Sequence, residues 1–400
     1  MNKKIDITRK SRARARIRFK EDQTLIIHLT VTGRCNARCK GCINSAITLG
    51  NPAPRDSLIT FEDTRPDRDL RIIRRIAGRF PRKQIGLCFY GGEPFLAAEK
   101  MVEVWKRVKD SPFGKRTRYM VYTNAERVRE AIARYPTFIR DLWLFSVSID
   151  GGLRQHNRAR PGTDLTAIIE NLRALKKIRR GQVLMWSTLR EEQSLANCYD
   201  EFIALKRQGL IDHFYWHWPE IVEPFKDIDG YARRYVRDLE MIIEGYVREL
   251  ERGELPSIIH INDLVLFLLT GRQRGHTGCA IELLKNYDIV GGKIYSCVDL
   301  PPALGDLERN KDPRRLVAYK DELGCFQCPV HGYCGGRCPV QGLYGSLERT
   351  RHYCRLMKLH VGVVRKRLPR IRAAFKKNHI GIQEIYDRSA YLTRFTDVIP

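Results

Sequence analysis

The chain has no apolar run long enough to span a bilayer, and its Arg- and Lys-rich beginning is followed by neither an apolar h-region nor a cleavage site. These absences argue against a helical membrane protein and a secreted one, and the expectation is a soluble, cytoplasmic protein with no membrane partner. Acidic residues are also scarce: 46 Asp and Glu stand against 72 Lys and Arg, a formal charge of +26. Such a surface suits an anionic partner, whether an acidic peptide, a phosphorylated molecule or nucleic acid, without choosing among them. At 400 residues the chain is too long for one small module, so two domains are expected.

What is present in quantity is cysteine, with twelve residues gathered in clusters. In a reducing compartment, clustered thiols argue for metal ligation rather than disulfides. Ahead of them lies a basic arm, Lys3 to Lys20, in which Arg12, Arg14, Arg16 and Arg18 share one side of an extended segment. Such an arm can grip an acidic substrate or RNA, or simply stay solvated.

Beyond the arm, apolar runs alternate with segments of helical period. Candidate strands are Leu25 to Val31, Gln84 to Tyr90, Arg118 to Thr123, Leu142 to Ile149, Val183 to Thr188 and His213 to Trp218. Between them, Pro94 to Lys109, Leu165 to Ile178, Ser194 to Arg207 and Tyr231 to Glu251 read as helices. Six βα units in a row predict an α/β fold with a parallel sheet curled into a barrel or part of one. Catalytic groups then belong at the C-terminal ends of the strands.

The first strand is followed there by Cys35, Cys39 and Cys42, a Cys-x3-Cys-x2-Cys loop. Three thiolates at this spacing can hold three corners of a cubane cluster, and the next cysteine, Cys88, lies 46 residues from Cys42. The fourth iron is left open to chelate a small ligand. A zinc site is the competing reading, but three thiolates without a nearby fourth Cys or His make a poor closed tetrahedron.

In this loop the sequence resembles the radical S-adenosylmethionine (SAM) superfamily, whose open iron takes the amine and carboxylate of the cofactor's methionine moiety. Gly91-Gly92-Glu93-Pro94, at the end of the second strand, tightens the resemblance. It implies that Gly91 and Gly92 let the backbone approach the methionine amine and that Glu93 assists it. Ser148, in Ser146-Val147-Ser148-Ile149-Asp150-Gly151, is similar to the serine that reaches the SAM ribose in peptide maturases of the superfamily. Asn124, His156 and Arg160 are further candidates, and each can equally serve a loop backbone. Many family members carry an aromatic residue immediately before the third cysteine, where this chain has Gly41. The sixth strand, His213-Phe214-Tyr215-Trp216-His217-Trp218, can line a substrate pocket or pack the core.

A second cysteine group comprises Cys279, Gly292-x4-Cys297, Cys325-x2-Cys328-x5-Cys334-x3-Cys338 and Cys354. It resembles the SPASM extension of radical SAM enzymes that mature sulfatases, peptides and peptide-derived cofactors. By that analogy Cys325, Cys328, Cys334 and Cys354 hold one auxiliary four-iron cluster, and Cys279, Cys297 and Cys338 the other. The seven thiols leave one site three-coordinate, to be completed by His276, water, a backbone group or substrate. Cys88 and Cys198 then remain as buried apolar thiols.

The resemblance implies a partial (β/α)6 TIM-type barrel at 23–252, after a basic arm at 1–22. A loop-rich two-cluster SPASM domain at 253–358 and a C-terminal helical tail at 359–400 follow. It implies three [4Fe-4S] clusters, SAM, a flavodoxin- or ferredoxin-type electron donor, and hydrogen abstraction from a peptide or protein substrate. Because Cys35 comes so early, leader recognition would fall to a separate partner or to the barrel mouth. Sulfatase-type maturation and small-molecule cofactor assembly are alternatives. For the former, the base would directly follow the second SPASM cysteine, whereas here Val298 intervenes before Asp299. From other classes, a non-catalytic iron–sulfur electron carrier and a zinc protein binding nucleic acid stay open.

Overall fold

The computed structural model describes residues 24–43, 63–221, 223–300, 305–309, 311–344, 346–396 and 400. The basic arm lies outside them. Strands β1 (Thr24–Thr32), β2 (Gln84–Gly91), β3 (Thr117–Thr123), β4 (Leu142–Ser148), β5 (Gln182–Thr188) and β6 (His213–His217) fall within one residue of their expected bounds. Each is almost wholly buried and rich in Ile, Val, Leu and aromatic residues, as a parallel sheet covered on both faces requires. Helices alternating with the parallel strands complete a partial barrel, with a further C-terminal unit. Among the described residues no helix is long and apolar enough to cross a membrane.

Two more strands, β7 (Asn286–Val290) and β8 (Lys293–Tyr295), extend the sheet to the order β6-β5-β4-β3-β2-β1-β7-β8. β7 runs parallel to β1, with Ile26 opposite Asn286 and Leu29 opposite Ile289, and β8 returns antiparallel. The segment expected to be loop-rich therefore contributes directly to the barrel wall.

Strand alternation sorts the side chains into an outer set packed on the helices and an inner set arranged in layers. The lower inner layer is Ile26, Cys88, Met120, Leu144, Leu184 and Tyr215. It is closed from below by Leu392 and Phe395, on the 3-10 turn Ala390–Phe395 near the end of the chain. Tyr122 fixes that plug by donating its hydroxyl to the Phe395 carbonyl.

Helix positions follow local sequence signals. Ser194 accepts the Asn197 amide as N-cap of Leu195–Arg207. Pro94–Lys109 divides into a 3-10 turn, Pro94–Ala97, and a helix, Ala98–Lys109. The last long helix is Leu347–Lys377, twelve residues longer at its start than the expected Leu359 to Lys377. Ser346 caps it, and Tyr353, Leu356, Met357, His360, Val361 and Val364 form the buried stripe that packs it along Ile228–Glu251.

Candidate active site at the barrel mouth

The loop carrying Cys35, Cys39 and Cys42 is fastened on both sides by backbone hydrogen bonds. Gly92 N donates to Thr32 O at 2.9 Å and Glu93 N to Arg34 O at 2.8 Å. On the other side, Arg38 N donates to Pro161 O at 2.7 Å and Lys40 N to Ala159 O at 3.0 Å. Gly92 must be glycine for this packing, since a Cβ there would lie 2.2 Å from the Arg34 carbonyl. Gly41 has a left-handed φ of +58°, and a Cβ on it would come 3.2 Å from Ile221. An aromatic residue in its place would be strained in this backbone.

Cys35, Cys39 and Cys42 all line one cavity of about 250 Å³. Desolvation raises the Cys35 and Cys39 thiols above their ordinary range, so binding of a metal group there must release protons. Among the described residues, no three His, Cys, Asp or Glu side chains converge closely enough to hold a single metal ion. Three thiols of one short loop that line a shared cavity can each meet a different iron of a cubane.

Gly91, Gly92, Asn124 and Ser148 line the same cavity. The Asn124 side chain donates to Asn36 Oδ1 at 2.9 Å, tying the end of β3 to the cysteine loop. Glu93 is fully buried and is engaged elsewhere: Oε1 accepts from Thr123 Oγ1 at 2.8 Å and Phe95 N at 3.1 Å, and Oε2 accepts from Asn124 N at 2.7 Å. Desolvation pushes its pKa up to about 7 in spite of these bonds. Its position is that of a brace between β2 and β3, one step behind the cavity wall.

Asp150 forms the second brace. Its carboxylate, with no exposed surface, accepts from Arg160 Nε at 2.7 Å, Arg190 Nη1 at 2.7 Å and Thr188 N at 2.8 Å. Desolvation works against this carboxylate, but the two guanidinium groups overcome it and hold its pKa well below the usual range. Arg160 also places Nη1 3.6 Å from Cys39 Sγ, and Arg190 donates Nε to the Lys40 carbonyl. A charge at the end of β4 thus positions two residues of the cysteine loop. His156 is buried behind it, with Nδ1 accepting from Asp150 N at 3.2 Å, and desolvation lowers its pKa to about 4.

Cys279, Cys297 and Cys338 line this cavity too. Desolvation raises Cys297 and Cys338, and nearby carboxylates and thiols add to the shift. Cys325, Cys328, Cys334 and Cys354 form a separate group: desolvation raises Cys325 to about 12, with the charges of Cys354, Cys334 and Cys328 adding. His276 faces a different, smaller pocket beside Tyr333 and Arg394. Asp299 is nearly buried and lines the main cavity next to Val298. Cys88 and Cys198 are completely buried in the core.

Sequence reasoning missed the cavity's aromatic band. His28, Tyr90, Tyr122, Trp186 and His217 run in ring contact, with successive centroids 6.0, 5.6, 5.1 and 5.3 Å apart. Each stands two residues beyond a member of the lower inner layer, so strand alternation carries the signal. Of the sixth strand, His217 reaches the cavity, whereas Phe214, Trp216 and Trp218 belong to the outer core. Arg190 and Glu220, which also line the cavity, were missed as well.

The family model of the Radical SAM superfamily matches residues 29–189. Among solved structures, anSMEcpe with bound AdoMet is similar at 17% identity and a TM-score of 0.65, over 89% of this chain and 99% of that one. Its complex with AdoMet and the Cp18Cys peptide is similar at 17% identity and a TM-score of 0.63, over 88% and 99% of the two chains. Streptococcus suis SuiB bound to S-adenosylmethionine is similar at 13% identity and a TM-score of 0.53, over 82% and 77%. At such identities the likeness is one of fold. No curated protein matches the chain. The matched segment runs from within β1 to just past β5 and holds the three-cysteine loop and Asp150.

Proposed function

We propose that the protein is a radical SAM enzyme with a SPASM-type C-terminal domain, acting on a side chain of a peptide or protein. One observation carries the reading: the thiols of Cys35, Cys39 and Cys42 and those of Cys279, Cys297 and Cys338 open onto the same cavity. A substrate between them would meet both groups at once.

In this reading Cys35, Cys39 and Cys42 hold the catalytic [4Fe-4S] cluster, and Gly91, Gly92, Asn124 and Ser148 contact SAM. Cys279, Cys297 and Cys338 hold one auxiliary cluster, and Cys325, Cys328, Cys334 and Cys354 the other. Held by these residues, a reduced cluster with SAM would supply the radical chemistry needed to abstract hydrogen from the substrate. The protein's own part is to position and shield. The braces at Glu93 and Asp150 fix the cysteine loop against β2, β3 and β4, and the aromatic band keeps water from the cavity floor. The charge of +26 suits an acidic leader segment, and an acidic flavodoxin- or ferredoxin-type protein as electron donor.

Sulfatase-type maturation is the second reading, favoured by Asp299, a nearly buried carboxylate on the cavity two residues after Cys297. The likeness to anSMEcpe, which extends over 99% of that chain, agrees with either reading.

The test is anaerobic SAM cleavage by the reconstituted protein. Wild type should form 5′-deoxyadenosine with dithionite, and Cys35→Ala, Cys39→Ala and Cys42→Ala should not, while each keeps about eight irons. Cleavage retained in those variants would overturn the assignment.

A further inference from the structure

Glu220 lies three residues past the end of β6 and lines the cavity at 4% exposure. Neither of its carboxylate oxygens accepts a hydrogen bond. The nearest cation, Arg337, brings Nη2 to 3.6 Å from Oε1, beyond hydrogen-bond length. Arg337 is itself held in place, with its guanidinium 5.3 Å from the Trp218 ring centroid and 5.1 Å from that of Tyr353, and with a bond to the Pro400 carbonyl. A desolvated carboxylate with no donor on either oxygen is costly, and such groups in a cavity are completed by what enters it.

The surroundings narrow what that is. Asp299 adds a second carboxylate to the cavity lining, whereas Asp288, also in the lining, is paired with His28 at 2.8 Å and accepts from Val298 N. The cavity's arginines, Arg160 and Arg190, are both paired with Asp150. The lining also includes the rings of Tyr90, Tyr122 and Trp186, and aromatic rings attract cations. A desolvated carboxylate without hydrogen bonds and aromatic rings in one cavity lining suit a positively charged group. Arg337 supplies Glu220 with a nearby charge but no hydrogen bond; a hydroxyl would give it one hydrogen, whereas an ammonium brings three donors and a guanidinium five.

We propose that the residue presented in this cavity is basic: a lysine or arginine side chain of the substrate peptide, bound by Glu220, with Asp299 as a second carboxylate of the lining. The proposal rests on the reading of the cavity as a peptide-modifying site and names the residue that the site selects. It differs from the attraction of the whole surface for acidic segments, which acts outside the cavity. A substrate of this kind would carry a basic residue within or next to an acidic stretch.

The experiment is calorimetric titration of the reconstituted holoenzyme, with SAM present, using acetyl-Gly-Gly-Xaa-Gly-Gly-amide peptides. Xaa is lysine, arginine, norleucine or glutamate, and norleucine matches lysine without the charge. Lysine or arginine should bind about tenfold tighter than norleucine, and glutamate weakest. Glu220→Gln and Asp299→Asn should each shrink that preference, with iron content reporting that the variants fold. Equal affinity for norleucine, no measurable binding of either basic peptide, or a preference unchanged in Glu220→Gln would overturn the proposal. Binding requires no turnover, so failure here is separate from failure of the radical reading, which SAM cleavage by the wild-type protein reports independently.

Discussion

From Thr24 to His217 the cavity wall is a ladder of six parallel strands with long helices behind it. From Ile281 to Tyr344 its described elements are two short strands and helical turns of three to six residues. The first wall is held by backbone pairing, a continuous apolar core and buried ion pairs such as Asp150 with Arg160 and Arg190. The second has helices too short to stand alone and thiols brought together from distant points in the chain. On the proposed reading, metal binding and folding are separable in the first and joined in the second, where the ligand sets would cross and a cluster would replace much of the missing core.

The largest expected effect follows from that contrast. Cys325→Ala or Cys334→Ala should lose about four irons and most of the folded yield, whereas Cys35→Ala should lose about four irons and keep its yield. Equal yields, read by gel filtration after reconstitution, would remove the distinction between the walls.

Next is the Asp150 brace. Asp150→Asn leaves two buried guanidinium groups without their counter-charge and should cost about 3–5 kcal/mol in urea unfolding. A loss below about 1 kcal/mol would mean that the two arginines find other partners.

A smaller effect concerns pH and the barrel wall. His156 and His213 are buried with pKa values lowered to about 4 from an ordinary 6.5. Between those limits the unfolded chain binds protons that the folded chain does not, so stability rises with pH through the window from 4 to 6.5 and is lost as pH falls through it. His156 alone contributes up to about 3 kcal/mol to that slope. Urea midpoints across the window should climb in the wild type and climb less in His156→Gln.

The smallest effect is at Cys88, an apolar thiol in the lower inner layer. Cys88→Ala should cost about 1 kcal/mol and leave the iron content unchanged.

Much of this was legible in the sequence because its period and its motifs agree. All six barrel strands were placed to within a residue, and the loop after β1 was marked by its thiols. β7 was not, since Asn286-Tyr287-Asp288-Ile289-Val290 is short and its polar residues gain partners only from elsewhere, as Asp288 does from His28. The start of the last helix was hidden because Cys354 was read as part of a loop motif, although Tyr353, Leu356, Met357 and His360 already keep helical spacing. The aromatic band was present in the alternation of the strands and was passed over for the loops that follow them. Nothing local could have singled out Glu220, because its character comes from burial and from the unbonded state of its oxygens.

The central claim is that one cavity joins a SAM-cleaving thiol loop to an auxiliary cluster. The most direct measurement is iron, sulfide and zinc counting after anaerobic reconstitution, followed by chromatography of the products formed with SAM and dithionite. The account predicts about twelve irons with matching sulfide, and 5′-deoxyadenosine. Zinc without sulfide, or full clusters that leave SAM intact, would contradict it.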